Sequence, residues 1–339
     1  MDGFGGNPEL RAIAKSCASA FLISLILTPI IRDIFRAYNV VDRPGLRKVH
    51  AYPIPRLGGI SLAAAYAIAL AGLHGTASLR PVLPGAAVIF LIGILDDFFN
   101  LPARFKLVGQ IIAACLVFWS GLRIPGPVWV SFPATVFWLV LAANAFNLID
   151  GLDGLCAGLG FTAALALFFM GMMQGNRALE AATLPLAGAL LAFLCYNFNR
   201  ATVFLGDSGA LLIGFLLGIS GLLWTKQAGN RVSMVAPLLV VAVPVVDLSL
   251  SIIRRLMARR PIFSPDRAHV HHRLLDRGLK PAGVALVLYT WGTCGGIFAF
   301  LLGYPALNPW QWVVIAGFLA AVLVGVHQLG YSDYKWRHS

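Results

Sequence analysis

The chain has 339 residues, of which 59% are hydrophobic and only 12% charged, and its formal net charge is +12. A soluble domain carries about 25% charged residues, so in water this chain would lack a polar surface, and its natural solvent is a bilayer. With most of the chain assigned to lipid, nucleic acid is a poor partner for the positive charge.

Eleven apolar runs separated by polar breaks follow in chain order: 12–31, 58–73, 82–95, 107–120, 128–143, 154–173, 182–196, 209–224, 234–252, 284–303 and 310–328. Several early runs fall short of the ~20 residues that a full crossing needs, so their ends are loosely defined. Strict apolar–polar alternation is absent, which predicts helices rather than a barrel. No repeat, low-complexity tract or linker interrupts the chain. No small-residue cleavage site follows the first run, which predicts that it is retained rather than removed as a leader. The expectation is a single all-α integral membrane domain over 1–339 with about eleven transmembrane helices.

Eleven spans divide the connecting segments between two sides. Segments 32–57, 96–106, 144–153, 197–208 and 253–283, with the tail from 329, hold nineteen of the 26 Lys and Arg. The positive-inside rule makes that side cytoplasmic, with the N-terminus outside and the C-terminus inside. Arg11 and Lys15 pull the first span the other way, against six basic residues in the next segment. Eleven of the twelve Asp lie on or beside the same side: Asp33, Asp42, Asp96, Asp97, Asp150, Asp153, Asp207, Asp247, Asp266, Asp276 and Asp333. Orientation does not require this, because acids contribute little to it; a working surface on one face does. The cations there suit anionic lipid and anionic substrates. Cys17, Cys115, Cys156, Cys195 and Cys294 stand singly, without metal or disulfide spacing, and read as small packing residues.

The first cytoplasmic segment contains "VVDRPGLRKVHAYPIPRLGG", residues 40–59, with Arg43, Arg47, Lys48, His50 and Arg56. It is either a positive-inside anchor or a turn whose glycines let the backbone approach a ligand or another helix. In "IFLIGILDDFFNL", residues 89–101, Asp96 and Asp97 end an apolar run. Adjacent carboxylates repel unless a cation is near, so the pair is a solvated helix end, a metal site or a base. Arg104 and Lys106 follow, and Lys106 is suited to holding a phosphate.

"NAFNLIDGLDGLCAG", residues 144–158, has no cation but places Asn144, Asn147, Asp150 and Asp153 at steps of three. On a helix each would lie beside the next. Helix capping explains one such residue but not four, and acids at membrane depth are functional by default. In "NFNRATVFLGDSGALLIG", residues 197–214, Asp207 is either a helix cap or a Mg²⁺ ligand. "RRLMARRPIFSPDRAHVHHRLLDRGLK", residues 254–280, holds eight basic residues with His269, His271 and His272. It is either a basic surface loop or an anion site in which His and Arg donate hydrogen bonds.

These five segments, in order from about residue 40 to 283, resemble the cytoplasmic signatures of the polyprenyl-phosphate N-acetylhexosamine-1-phosphate transferases, which include the WecA, TagO and MraY types. "PIFSPDRAHVHHRLL" is most similar to the WecA type with its His-x-His-His run; the MraY type has three consecutive histidines. The resemblance implies a Mg²⁺-dependent enzyme, with Mn²⁺ as the alternative ion. It also implies a bacterial inner-membrane location with the active site on the cytoplasmic face. UDP-N-acetylhexosamine, with GlcNAc as the default sugar, would meet undecaprenyl phosphate among the membrane lipids. The lipid phosphate would attack the β-phosphorus and UMP would leave, starting a lipid-linked surface polysaccharide. A homodimer is the family's tendency.

By position, Asp207 resembles the family's Mg²⁺-binding aspartate and Phe204 an aromatic that stacks on uracil. Asp96 and Asp97 resemble the aspartate pair, one of which is proposed to take a proton. Asn147, Asp150 and Asp153 look like the residues lining the nucleotide site, and Lys106 like the cation near the phosphates. Arg56, His269 and His272 are expected among the substrate-binding residues and His271 among the catalytic ones. The rival from another class is a transporter or flippase, which would place its charges near the bilayer midplane and often show repeated halves. A rival within the family is the MraY-type reaction on a UDP-muramoyl peptide.

Overall fold

A computed structural model describes residues 8–42, 53–73, 79–228, 230, 232–261 and 268–330. The cations Arg43, Arg47, Lys48 and His50, and the acids Asp266 and Asp333, lie outside the described residues.

Each of the eleven apolar runs is helical. The helices are α1 (Pro8–Ala37), α2 (Gly58–Ala71), α3 (Leu83–Phe99), α4 (Ala103–Trp119), α5 (Val128–Ile149), α6 (Leu155–Gln174), α7 (Arg177–Asn197) and α8 (Gly206–Gln227). They continue with α9 (Ala236–Val240), α10 (Ala242–Met257), the short α11 (Val270–Asp276), α12 (Pro281–Gly303) and α13 (Gln311–Gln328). Among the described residues eight helices are long and apolar enough to cross a membrane, α3 being counted with the 3₁₀ turn Arg80–Val82 that leads into it, and nine spans result if α9 and α10 count as one. α2, at 14 residues, and α4, at 17, are shorter. The chain is a multi-pass membrane protein.

Two features depart from the expected all-α chain of straight spans. The run 234–252 breaks between α9 and α10 with a bend of 78°. Pro244 has no N–H to return to the Val240 carbonyl, and its ring crowds that carbonyl, so the ladder stops there. Val41–Asp42 (β1) also pairs antiparallel with Ile54–Pro55 (β2), with Val41 opposite Pro55 and Asp42 opposite Ile54. The Arg56 guanidinium closes this hairpin on the Asp42 carboxylate.

α8 is the centre of the bundle. It is apolar on every face, and each residue from Ser208 to Thr225 is buried, which is how a helix surrounded by others reads. α2, α3, α5, α6 and α7 pack around it. At its N-terminal end the approach is very close. A Cβ on Gly93 of α3 would lie 2.3 Å from the Ser208 Cα, and one on Gly59 of α2 would lie 2.3 Å from the Gly209 nitrogen. Small residues at helix crossings are the usual means of close packing in membranes. The hairpin is tied to the same end: Phe204 donates its N–H to the Pro55 carbonyl at 2.7 Å, and Gly58 donates to the Phe204 carbonyl at 2.9 Å. By contrast α13 lies at the periphery, where only Gln311 is buried.

The contact at Gly93 is with backbone, which cannot rotate away. Gly93→Val is therefore expected to destabilise the protein by at least the ~1–3 kcal/mol of an overpacked core, read as a lower unfolding midpoint in detergent. Leu91→Val, on the exposed face of α3, is expected to change it by less than about 0.5 kcal/mol. Equal midpoints for the two variants would contradict this packing.

Candidate active site

The acidic pair stands on the last turn of α3, and its two members face different partners. Asp97 is buried, and its two oxygens accept the backbone N–H groups of Asp207 (2.7 Å) and Ser208 (3.0 Å). The carboxylate of one helix thus caps the N-terminus of another. Asp96, also buried, accepts the N–H of Leu101 at 2.7 Å and lies 2.6 Å from the Lys106 ammonium. α3 closes at Asn100, whose φ of 48° is left-handed and which donates back to the Asp96 carbonyl at 2.8 Å; this turn brings α4 and Lys106 alongside the pair.

Asp207 begins α8. Gly206 before it has φ +75°, and a Cβ there would lie 2.3 Å from the Arg56 carbonyl and 2.7 Å from an Asp97 oxygen. Only glycine fits that turn. The Asp207 carboxylate accepts a hydrogen bond from the Asn147 amide and lies 3.9 Å from Lys106. Its side chain keeps 35% of its surface exposed against 3% for Asp96, so of these two it is Asp207 that a ligand can reach. The row expected at 144–153 is divided, because α5 ends at Ile149. Asn144 pairs with Gln110 of α4, Asn147 faces Asp207, and Asp150 and Asp153 lie on the turn into α6.

That turn is held from three sides. Asp153 accepts the N–H of Ala201 at 2.8 Å, Asn197 accepts the N–H of Gly154 at 3.0 Å, and the Tyr289 hydroxyl donates to the Gly154 carbonyl at 2.6 Å. The histidines border it: a Cβ on Gly151 would lie 2.8 Å from His271 Nε2. His271 is buried and its Nδ1 has no hydrogen-bond partner. Removal from water, with His272 and His269 beside it, pushes its imidazole down to about 3, so it is neutral. The rings of His269 and His271 stack parallel, and His271 and His272 are 4.3 Å apart between centroids.

The expected residues Asp96, Asp97, Lys106, Asn147, Asp150, Asp153 and Asp207 therefore converge at one end of the bundle, with the histidine row against the Asp150 turn. Phe204 is half-buried in the turn before α8, its backbone held by the hairpin. The Arg56 side chain is engaged by Asp42, while its carbonyl lines Gly206.

The family pattern described as glycosyl transferase family 4 matches residues 79–225. A probable undecaprenyl-phosphate N-acetylglucosaminyl 1-phosphate transferase of Bacillus subtilis is 35% identical over 300 residues, covering 84% of this chain and 84% of the relative. A decaprenyl-phosphate N-acetylglucosaminephosphotransferase of Mycobacterium tuberculosis is 38% identical over 338 residues, covering 87% and 83%. An undecaprenyl-phosphate alpha-N-acetylglucosaminyl 1-phosphate transferase of Escherichia coli K12 is 28% identical over 340 residues, covering 92% and 90%. The chain belongs to the polyprenyl-phosphate N-acetylhexosamine-1-phosphate transferases.

The donor set of this cluster can be tested against a divalent ion. Among the described residues no group of three or more His, Cys, Asp or Glu is disposed to cage a metal. Mg²⁺ needs no such cage, because it binds through one or two carboxylates, water and substrate phosphates. The hard oxygens of Asp207, half-buried as are those of Asp150 and Asp153, fit that mode. Sequence reasoning passed over Asn197 and Tyr289, which hold the Asp150 turn; neither carries a local signal, and only the fold brings them there.

Asp150 lies in this turn, outside the spans. Removal from water, with Asp207, Asp97 and Asp153 adding negative charge, pushes its carboxyl up to about 8, against about 3.9 in an unfolded chain. The raised value makes the site's contribution to stability greatest below about pH 4 and removes it as pH rises toward about 8. In a metal-free buffer, Asp150→Asn is therefore expected to gain thermal stability relative to the parent protein as pH is raised through this window. A difference independent of pH would contradict the assignment.

Proposed function

We propose that the protein transfers N-acetylhexosamine 1-phosphate from a UDP-sugar to undecaprenyl phosphate, releasing UMP, with GlcNAc as the sugar first to be tried. The convergence of Asp96, Lys106, Asn147, Asp150 and Asp207 at one end of an apolar bundle carries this reading; the names of the relatives supply the polyprenyl-phosphate acceptor and the N-acetylglucosaminyl phosphate group, and the sequence resemblance supplies the UDP donor. The proposed topology has eleven crossings, counting α2, α4 and the bent α9–α10 pair, with the N-terminus outside. The site then faces the cytoplasm of a bacterial inner membrane, where a lipid phosphate and a soluble nucleotide can meet.

In the proposed reaction an oxygen of the lipid phosphate bonds to the β-phosphorus of the UDP-sugar. The bridging oxygen leaves with UMP, and a lipid-linked diphosphosugar remains to start a surface polysaccharide. Catalysis of this kind is positioning and charge neutralisation. Lys106, held between Asp96 and Asp207, supplies a cation to the diphosphate. Asn147 orients the Asp207 carboxylate by donating to it. Asp97 fixes Asp207 from behind. Phe204 offers its ring to the uracil, and Asp150 and Asp153 line the nucleotide side. Neither member of the acidic pair needs to act as a base, because a phosphate monoester has its second pKa near ~6 and is largely ionised already. A Mg²⁺ or Mn²⁺ ion held by Asp207 supplies neutralisation of the diphosphate charge.

The His-x-His-His row and the relatives' names favour this reaction over the muramoyl-peptide one. The test is purified protein with labelled UDP-GlcNAc, Mg²⁺ and undecaprenyl phosphate, then the same assay across UDP-GalNAc and UDP-FucNAc. A lipid-extractable labelled product is expected, abolished by EDTA and restored by Mg²⁺. Asp207→Asn is expected to lower turnover at least ~100-fold, the scale of losing one transition-state contact. Normal turnover with unchanged Mg²⁺ dependence in that variant would defeat the assignment.

A further inference from the structure

Asp247 lies on α10, outside the motifs from which the site was read, and it is almost inaccessible at 1% exposure. One of its oxygens is 2.9 Å from His269 Nδ1 and the other accepts the N–H of Val270 at 2.8 Å. We infer that Asp247 is a positioning residue for the transfer: it sets the tautomer and orientation of His269 and thereby the histidine row beside the Asp150 turn.

The chemistry follows from the donor inventory. A carboxylate only accepts hydrogen bonds, and imidazole is the stronger base of the two. The ring nitrogen facing Asp247 therefore carries the proton, and in the neutral ring Nε2, directed away from Asp247, keeps its lone pair. The same carboxylate holds the first amide of α11. That helix has seven residues, too few to be stable alone, so Asp247 joins the row to α10. The row then acts as one body. His269 and His271 are parallel to within 2° at 5.7 Å between centroids, and His272 follows. The orientation fixed at His269 is thus passed to His271, which abuts Gly151.

Asp247→Asn separates positioning from mere support. Asparagine keeps the shape, and its oxygen still accepts the Val270 N–H. Its NH₂ then faces Nδ1 and demands the opposite tautomer, with the proton on Nε2. The inference rests on the transferase reading, so two readouts on the full-length detergent-solubilised protein are needed. One is turnover with UDP-GlcNAc and undecaprenyl phosphate. The other is the ¹⁵N spectrum of histidine-labelled protein, with the His269 signals identified by their loss in His269→Gln.

The parent protein is expected to show the Nδ1–H tautomer at His269. Asp247→Asn should lose it while unfolding at the parent temperature, with kcat falling by at least ~100-fold, in the direction of the ~10⁴-fold loss that a wrong tautomer causes in a Ser-His-Asp triad, and with KM for the UDP-sugar little changed. Persistence of the Nδ1–H signature in Asp247→Asn, or its loss with kcat unchanged, overturns the inference. If the parent protein makes no product from any UDP-sugar, the transferase reading fails by itself. The tautomer then decides alone: its loss in Asp247→Asn supports the positioning role and its retention overturns it.

Discussion

The candidate site depends on one contact, the Asp97 carboxylate against the first amides of α8. A helix begins with N–H groups that have no partner inside the helix. At the start of α8, where Ser208 onward is buried on every side, water is a poor source of acceptors. Asp97 supplies two oxygens, at 2.7 and 3.0 Å, and its negative charge also meets the positive end of the helix dipole. The glycines around it follow from the same requirement. Gly93, Gly59 and Gly206 let α3, α2 and the hairpin come close enough for a carboxylate on one helix to reach the backbone of another.

With α8 fixed in this way, Asp207 emerges beside Asp96 rather than away from it, and four helices share one electrostatic arrangement. Lys106 from α4 stands between the two carboxylates, and Asn147 from α5 binds the far side of Asp207. Charges this close to lipid are tolerable because each meets an opposite charge or a hydrogen-bond donor. The arrangement also suits chemistry on phosphates, since an arriving diphosphate meets a cation already in place. The carboxylates gather at one end of the bundle, not at its middle, and an end is where the proposed reaction between a lipid and a soluble nucleotide belongs. A transport pathway would call for charge at mid-membrane.

Much of this was legible in the sequence because two signals are local. Apolar runs report helices whatever they pack against, and each of the eleven runs is helical, although 234–252 is divided between α9 and α10. Acids and amides beside such runs report function because lipid penalises them. The helices run further than the apolar residues do: α5 continues from 143 to Ile149 and α3 includes both Asp96 and Asp97. Polar side chains with partners elsewhere in the fold do not end a helix, and that cannot be read along the chain. The partners themselves were hidden for the same reason. Asp97 and Asp207 are 110 residues apart, and Asp247 and His269 are 22 apart. Asp247 looked like one more acid on the cytoplasmic side. The break before α10 did leave a local trace in Pro244, but a proline in an apolar run is equally compatible with a kinked, continuous span.

Hydrogen–deuterium exchange over the segment 204–212 tests the central contact most directly, because no intrahelical bond protects the first amides of a helix. In the parent protein the Asp207 and Ser208 amides are predicted to exchange slowly, and in Asp97→Ala to exchange at least ~10-fold faster, a loss of roughly 1.4 kcal/mol of local protection, with the middle of α8 unchanged. Equal exchange at these amides in the two proteins would contradict the account.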